Sequence, residues 1–466
     1  MKRALAIHKF GGTSLGSAER IEAAAVILKA AARRERIVAV VSATAGTTNA
    51  LLEAAHEARR GRRSAWEKAF AAIARRHFEL AQRYDGESGL RELEPALGEL
   101  ETMLEGIALL RELSPRSLDT VASFGERLSA PIVARALRAR GTPAQAVDAR
   151  ALIRTDDRHQ RATADLAATK RAARKGLARA LARGVVPVVT GFIASGPEGE
   201  TTTLGRSGSD TTAAILGAVL GARRIVIWTD VDGVHSADPR FVKGTRVLPR
   251  LTYREAAELT YFGAKVLHFP AMIPAIAEGI PIVIQNSFRP AAPGTTIDAR
   301  GSRGASGISA VTSIRGLALV SLEGKGMVGV PGIAARAFSA VAREKISVLM
   351  FSQASSEQNI CLVVPEEDRA RSFKALREEF GAEIALGKLD GVKAHGPVAA
   401  VAAVGEGMRG TPGIAARLFG AVAAARVNIE AIAQGSSEVN ISFIVEDKDA
   451  AAAVAAVHRL CIARRS

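Results

Sequence analysis

The strongest constraint on how this chain folds is a repeat inside it. Gly326-Met327, Pro331-Gly332-Ile333-Ala334-Ala335-Arg336, Phe338, Gln353, Ser355-Ser356-Glu357 and Asn359-Ile360 recur as Gly407-Met408, Pro412-Gly413-Ile414-Ala415-Ala416-Arg417, Phe419, Gln434, Ser436-Ser437-Glu438 and Asn440-Ile441. Every pair is separated by the same 81 positions, as from Pro331 to Pro412. Two copies of one supersecondary unit therefore lie side by side behind a long N-terminal region. That layout suggests an enzyme with a regulatory appendix.

At 466 residues the chain exceeds one ordinary core, and roughly two to four domains are expected. Its 48% apolar and 24% charged residues fit a globular protein rather than a disordered or membrane one. The net charge of +16 raises the question of nucleic acid. The basic residues are scattered along helices such as Lys170 to Arg183, however, and only 4% aromatics are available to stack bases. The charge reads as a solvated surface or as a field that attracts small anions, and no nucleic-acid partner is expected.

The two cysteines, Cys361 and Cys461, have no metal or redox spacing. Cys361 sits in an apolar run and reads as a core thiol. No signal peptide is recognisable in Met1 to Ile7, and no run of about 18 apolar residues occurs. The expectation is a reducing, cytoplasmic location with no membrane partner.

Before the repeat, short β-rich runs alternate with amphipathic helices. Ala4–His8 and Ile37–Ser42 read as buried strands around a helix over 19–34, and long helical patterns cover 49–82 and 89–113. The alternation resumes with helix 125–140, strand 144–147, helix 164–183, strand 185–190, helix 211–220, strand 224–229, helix 253–268 and strand 280–285. The expected class is α/β, a mainly parallel sheet sandwiched by helices, with ligands at the carboxyl ends of its strands. Pro, Gly and Ser crowd 289–304 and mark a connector.

Each repeat then reads strand, Pro-Gly turn, helix, strand, strand, helix. The second copy lacks a strand for a closed β-α-β-β-α-β unit. The alternating segment Ile308–Ile314 is expected to supply it. The expected division is 1–300 for the large domain, 316–394 for one α+β ferredoxin-like module, and 307–315 plus 395–466 for the other.

Three Gly-rich clusters carry the chemistry. His8-Lys9-Phe10-Gly11-Gly12-Thr13-Ser14 follows a strand and opens a helix, where bare backbone N–H groups and Lys9 can meet phosphate oxygens, or where the glycines merely make a turn. Leu204-Gly205-Arg206-Ser207-Gly208-Ser209-Asp210 offers Arg206 for a carboxylate, with Ser209 and Asp210 at a helix start where they could equally be caps. Trp228-Thr229-Asp230-Val231-Asp232-Gly233 ends an apolar strand and could be an ordinary turn. Ser42 to Asn49, Ser123-Phe124-Gly125-Glu126 and Phe262-Gly263-Ala264-Lys265 are weak singly.

Together these motifs, in this order, resemble the aspartokinase family, which has the amino-acid kinase fold and two C-terminal ACT modules. The resemblance covers essentially the whole chain. It implies that Lys9 acts on the transferring phosphates with Gly11 and Gly12 cradling them; Asp210, at the helix start, is read as organising Lys9 or a metal. Ser42, Thr48, Glu126, Arg206 and Ser209 would hold L-aspartate, Arg206 suiting a carboxylate and Glu126 the ammonium. Thr229, Asp230, His235, Arg240 and Lys265 would bind ATP, with Mg²⁺ whose ligands the motifs do not name. Three positions depart from the usual pattern: His235 for Tyr, Phe269 for Pro and Ser207 for Gly.

The implied reaction is phosphorylation of the aspartate side-chain carboxylate to 4-phospho-L-aspartate, the first step towards lysine, threonine and methionine. The alternatives are a kinase for another acidic amino acid, or an amino-acid sensor with a decayed kinase region. Helix starts at Gly332, Ile333, Gly413 and Ile414 offer free N–H groups to an effector carboxylate. The resemblance adds Gln353, Gln434, Asn359 and Asn440 to that regulatory set. It implies threonine as effector before lysine and homodimers or higher homo-oligomers through the ACT modules; with no dehydrogenase after Ser466, a monofunctional kinase is the expectation.

Overall fold

The computed structural model describes residues 4–85, 87–263, 267–301 and 307–462. The chain forms two compact units. One comprises Met1–Val234, Pro249–Leu251 and His268–Arg300, and the other His235–Leu248, Thr252–Leu267 and Gly301–Ser466. Two stretches inside the expected 1–300 segment, 235–248 and 252–267, thus pack with the second unit.

In the first unit, β1 (Leu5–Phe10) is buried at every position and leads through α1 (Ala18–Arg34) to β2 (Arg36–Val41). Ser17 caps α1 by accepting the Arg20 N–H. Then come α2 (Thr47–Arg59), α3 (Arg63–Asp85), α4 (Glu87–Leu110) and α5 (Pro115–Ala139). The single helix expected over 49–82 is two, because Gly61 adopts φ +67° and α3 packs back against α2. α5 starts well before the expected residue 125, with Ser114 as its cap and Pro115 in its first turn.

The unit continues through β3 (Ala144–Val147), α6 (Leu166–Ala182), β4 (Val186–Thr190), a hairpin of β5 (Ile193–Ser195) and β6 (Thr201–Thr203), α7 (Gly208–Leu220), β7 (Arg224–Thr229) and β8 (Arg250–Thr252). After α8 (Tyr253–Tyr261), which belongs to the second unit, α9 (Ile273–Ala277), β9 (Ile282–Asn286) and β10 (Thr295–Asp298) return to the first. The sheet order is β3-β4-β2-β1-β7-β9-β10-β8. β3 to β9 in that order pair parallel, and β10 runs antiparallel to β9. The mainly parallel sheet is therefore present, and the loops after β1, β2, β4 and β7 leave from one edge.

The second unit contains β11 (Ala310–Glu323), α10 (Ile333–Arg343), β12 (Met350–Gln353), β13 (Asn359–Pro365), α11 (Arg369–Glu379), α12 (Gly381–Ala385), β14 (Gly391–Val404), α13 (Ile414–Ala424), β15 (Ala431–Gln434), β16 (Asn440–Glu446) and α14 (Ala450–Ile462). Its antiparallel sheet has the order β12-β13-β11-β14-β16-β15. The long central strands serve both repeats. Leu317–Glu323 pair with β13, while Ala310–Ile314 pair with Ala400–Val404. Ile308 and Val311 join the core of the second repeat, and a separate core around Ala318, Val320 and Phe380 serves the first.

The helix expected over 253–268 stops at Tyr261, since Gly263 takes φ +100° and a Cβ there would stand 3.0 Å from the Ser313 carbonyl. Among the described residues no helix is long and apolar enough to cross a membrane.

Candidate active site

A cavity of about 400 Å³ opens at the carboxyl edge of the first unit's sheet. It is lined by Lys9 and Gly12 after β1, Ser42 to Gly46 after β2, Thr48 and Asn49 in the first turn of α2, Glu126 of α5, Phe192 after β4, and Gly205 with Ser207 to Asp210 at the start of α7. Backbone proximity sets its floor. A Cβ on Gly12 would lie 2.9 Å from the Ala43 carbonyl oxygen, and one on Gly125 would lie 2.6 Å from Ala43 Cβ. Larger residues at either place would push the 42–46 loop out of line.

The helices that point at this cavity start differently from α1, α5, α6 and α8. Ser17, Ser114, Asp165 and Thr252 cap α1, α5, α6 and α8 with side-chain hydrogen bonds from extended backbone. α2 and α7 begin instead from left-handed Gly46 (φ +81°) and Ser207 (φ +57°), and neither start has a side-chain cap. The N–H of Thr47 is taken by the Thr44 carbonyl and that of Gly208 by the Gly205 carbonyl, each at 3.0 Å, which leaves those of Thr48 and Asn49 in α2 and of Ser209 in α7 to meet an anion.

Opposite charges are set among these donors. Lys9, 9% exposed, places Nζ 2.6 Å from Asp210 Oδ1. Glu126 is buried; its Oε1 accepts the Ala43 N–H at 3.0 Å, while Oε2 has no protein partner. Burial pushes its carboxyl up to about 8, against the partial relief of that N–H and the Lys9 charge. A ligand cation at Oε2 would restore the ionised form. Nearby, burial and then the Arg206 charge hold the His268 ring below its ordinary range.

Most of the expected acceptor and phosphate residues converge here: Lys9, Gly12, Ser42, Thr48, Glu126, Ser209 and Asp210 all line the cavity. Gly11 stands just behind, its N–H on the Trp228 carbonyl at 3.3 Å. Arg206 is exposed and does not line the cavity. Thr229 and Asp230 end β7 beside β1 but do not line it either; Thr229 Oγ1 donates to Asp230 Oδ1 at 3.2 Å. His235 and Arg240 lie in the second unit, where His235 Nδ1 is 3.2 Å from Thr245 Oγ1 and Arg240 pairs with Asp238 at 2.6 Å. Lys265 lies outside the described residues.

Phe192 was not signalled by the sequence. It takes φ +68°, and its N–H donates to Thr212 Oγ1 at 3.0 Å. The preceding Gly191 was the available clue, since a Cβ there would stand 2.5 Å from Ser209 Oγ.

Among the described residues no cluster of three or more His, Cys, Asp or Glu side chains forms a metal cage. The cavity's own carboxylates are Asp210 and Glu126. Mg²⁺ held largely by phosphates needs only one or two carboxylates. The donor set thus suits a metal that arrives with a nucleotide.

The repeats reproduce one local geometry twice. Gly332 (φ +90°) and Gly413 (φ +82°) start α10 and α13 without side-chain caps, and Ile333 and Ile414 anchor those starts in the two cores. Glu357 Oε2 accepts the Gly329 N–H at 2.7 Å, and Glu438 Oε2 accepts that of Gly410 at 2.6 Å. These two glutamates belong to the repeat but had no assigned role. Gln353 and Gln434 are exposed at the ends of β12 and β15. Asn359 Oδ1 accepts from Cys361 Sγ at 3.0 Å, whereas Asn440 Nδ2 donates to Glu258 Oε2 of α8 at 2.9 Å.

Comparison with known proteins agrees with this architecture. Residues 4–286 match the amino acid kinase family, and 320–380 and 401–460 match the ACT domain. The chain is 39% identical over 464 residues to the chloroplastic bifunctional aspartokinase/homoserine dehydrogenase 1 of Arabidopsis thaliana, covering 97% of this chain and 50% of that protein. It spans about half the length of the bifunctional relatives it matches. It is 35% identical to chloroplastic aspartokinase 1 of Arabidopsis thaliana, covering 97% of this chain and 79% of that one. Among solved structures, E. coli aspartokinase III with lysine and aspartate aligns at a TM-score of 0.81 and 32% identity, covering 98% and 100% of the two chains. The same enzyme with aspartate and ADP aligns at 0.78, covering 98% and 99%.

Proposed function

We propose that this chain, which belongs to the amino acid kinase family and within it to the aspartokinases, transfers the γ-phosphoryl group of ATP to the side-chain carboxylate of L-aspartate, giving 4-phospho-L-aspartate. The observation that carries this reading is the convergence on one cavity of the Lys9–Asp210 pair, an unpartnered Glu126 oxygen and two uncapped helix starts. E. coli aspartokinase III binds aspartate and ADP, which supports the same ligand pair here.

The acceptor carboxylate is ionised at neutral pH, with an ordinary pKa of about 3.9, so attack needs no general base. Lys9 supplies positive charge where phosphate charge develops, and Asp210 fixes Lys9 Nζ. Glu126 Oε2 receives the substrate ammonium, selecting an amino acid over a simple diacid. The open N–H groups of α2 and α7, with Ser42, Thr48 and Ser209, receive carboxylate oxygens, and exposed Arg206 closes on one of them. Thr229 and Asp230 take the nucleotide at the end of β7. For His235, Arg240 and Lys265 the nucleotide role rests on motif resemblance alone. Mg²⁺, bound with ATP, would neutralise phosphate charge, and Asp210 is the carboxylate that would help to hold it.

The second unit is proposed as two ACT modules, 316–394 and 307–315 plus 395–466, that sense an end-product amino acid and restrain the kinase as the entry to lysine, threonine and methionine synthesis. Pairing of Ala310–Ile314 with Ala400–Val404 supports the interleaved division. Threonine is the first effector to test and lysine the second, the latter supported by the lysine complex of E. coli aspartokinase III. Homodimerisation through these modules goes with that reading. The test of the kinase reading is trapping of the acyl phosphate with hydroxylamine in the presence of MgATP and aspartate, glutamate or acetylglutamate. Product is expected with aspartate; none with aspartate would overturn it.

A further inference from the structure

Two buried polar groups, one in the cavity wall and one outside it, belong to no role assigned so far. His77 on α3 is fully buried, as is Thr44 of the 42–46 loop. His77 Nδ1 lies 2.8 Å from the Ile73 carbonyl oxygen, which can only accept, so Nδ1 carries the proton. Burial holds the ring neutral, its pKa lowered to about 4. Nε2 is then a bare acceptor, and Thr44 Oγ1 donates to it at 3.3 Å. With its proton committed, Thr44 Oγ1 accepts from Thr47 Oγ1 at 2.7 Å. The chain of donors has one sense: Thr47 to Thr44 to His77.

This relay completes a three-point fixation of the loop. Ser129 Oγ of α5 donates to the Ser42 carbonyl at 2.8 Å, Glu126 Oε1 takes the Ala43 N–H, and His77 takes the Thr44 hydroxyl from the other side. The neighbouring Arg76 donates to the Gly16 carbonyl at 3.2 Å, so α3 also grips the segment that follows Gly12. Thr44 itself lines the cavity, and Thr47 opens α2.

We propose that His77 is a positioning residue: from outside the cavity it fixes Thr44 and Thr47, and so aims the uncapped start of α2 and the Ala43-bound Glu126 at the amino-acid acceptor. The inference rests on the cavity binding such an acceptor, and it assigns a role to α3. It confines the effect of His77 to acceptor binding. Lys9 and β7 do not depend on the relay.

The test is steady-state kinetics of His77→Leu and His77→Gln beside the parent enzyme, with thermal melting to check folding. Gln presents an acceptor oxygen at about the reach of Nε2; Leu does not. His77→Leu is expected to raise KM for the acceptor about tenfold, the cost of one lost buried hydrogen bond, with KM for ATP within twofold. His77→Gln should recover most of the loss. An unchanged acceptor KM in folded His77→Leu, an equal rise in both KM values, or no rescue by Gln would overturn the proposal. Nitrogen NMR of the His77 ring reads the same relay without turnover. A ring that stays neutral with its proton on Nδ1 between pH 5.5 and 8 is expected, and a proton on Nε2 overturns it. An inactive parent with the expected ring signals would instead count against the kinase reading alone.

Discussion

The two units of this molecule open certain helices with the same device and surround it differently. Gly46 and Ser207 in the first unit, and Gly332 and Gly413 in the second, all start helices from left-handed backbone with no side-chain cap. In the first unit two such starts face one cavity that also holds Lys9, Asp210 and Glu126. In the second each stands apart, beside a glutamate that ties down its own glycine loop. Phosphoryl transfer needs opposed charges at fixed places. Holding an amino-acid carboxylate needs little more than open N–H groups.

The two repeats differ in turn. The first leaves Val328 and Val330 about half exposed on the loop before α10. The second is held by α8: buried Glu255 accepts from Thr252 N at 2.8 Å, Ser309 Oγ at 2.6 Å and Glu406 N at 3.0 Å, and Glu258 takes Asn440. One sequence pattern thus gives one open loop and one clamped loop.

The comparison is broken most forcefully at Lys9. Lys9→Met is expected to lower kcat by about a thousandfold or more, the scale of losing a charge-stabilising group in a dry site; an acyl-phosphate assay showing near-parental rates would remove Lys9 from the chemistry. Next comes Glu126→Gln. In the free protein Glu126 is protonated below about 8, and it must ionise to pair with an ammonium. Acceptor affinity should therefore rise with pH up to about 8, by as much as tenfold per unit. The Gln variant should lose that slope. Stability runs the other way: a raised carboxyl pKa means that the folded state holds the extra proton, so its contribution falls as pH climbs from the ordinary carboxylate range through about 8. Glu126→Gln should melt higher than the parent at pH 8.5 while binding aspartate less well.

Within the second unit, Gln353→Ala should weaken inhibition by threonine or lysine more than Gln434→Ala, because the first repeat is the open one. Equal effects in inhibition titrations would erase that distinction. The smallest effect belongs to a side-chain-capped helix. Asp165→Ala, which removes the bond from Ala168 N–H at 2.9 Å, should cost about 1 kcal/mol in denaturant unfolding and leave kcat unchanged.

What could be read beforehand follows the same division between local and distant causes. Lys9, Gly12, Ser42, Thr48, Ser209 and Asp210 sit in short motifs at strand ends or helix starts, where spacing alone fixes their direction, and Glu126 sits in a short motif in the middle of α5. The pairing of Ala310–Ile314 with the second repeat was legible from the repeat's missing strand. His77 was not: its contact with Thr44 spans 33 positions, and a histidine in a helical pattern carries no mark of its partner. The break at Gly61 was hidden because apolar periodicity continues on both sides of it. The β5–β6 hairpin has strands of three residues, too short for an alternation to register. Arg206 suits a carboxylate by residue type, but residue type does not reveal that its side chain is exposed, next to a left-handed Ser207.

The account depends most on Glu126 meeting an ammonium in this cavity. Calorimetric titration of the parent with aspartate at pH 7, in buffers of different ionisation enthalpy, measures the protons released on binding. With a free carboxyl at about 8, release of about 0.9 proton per site is predicted, falling to none in Glu126→Gln. Aspartate binding with no proton release in the parent would contradict it.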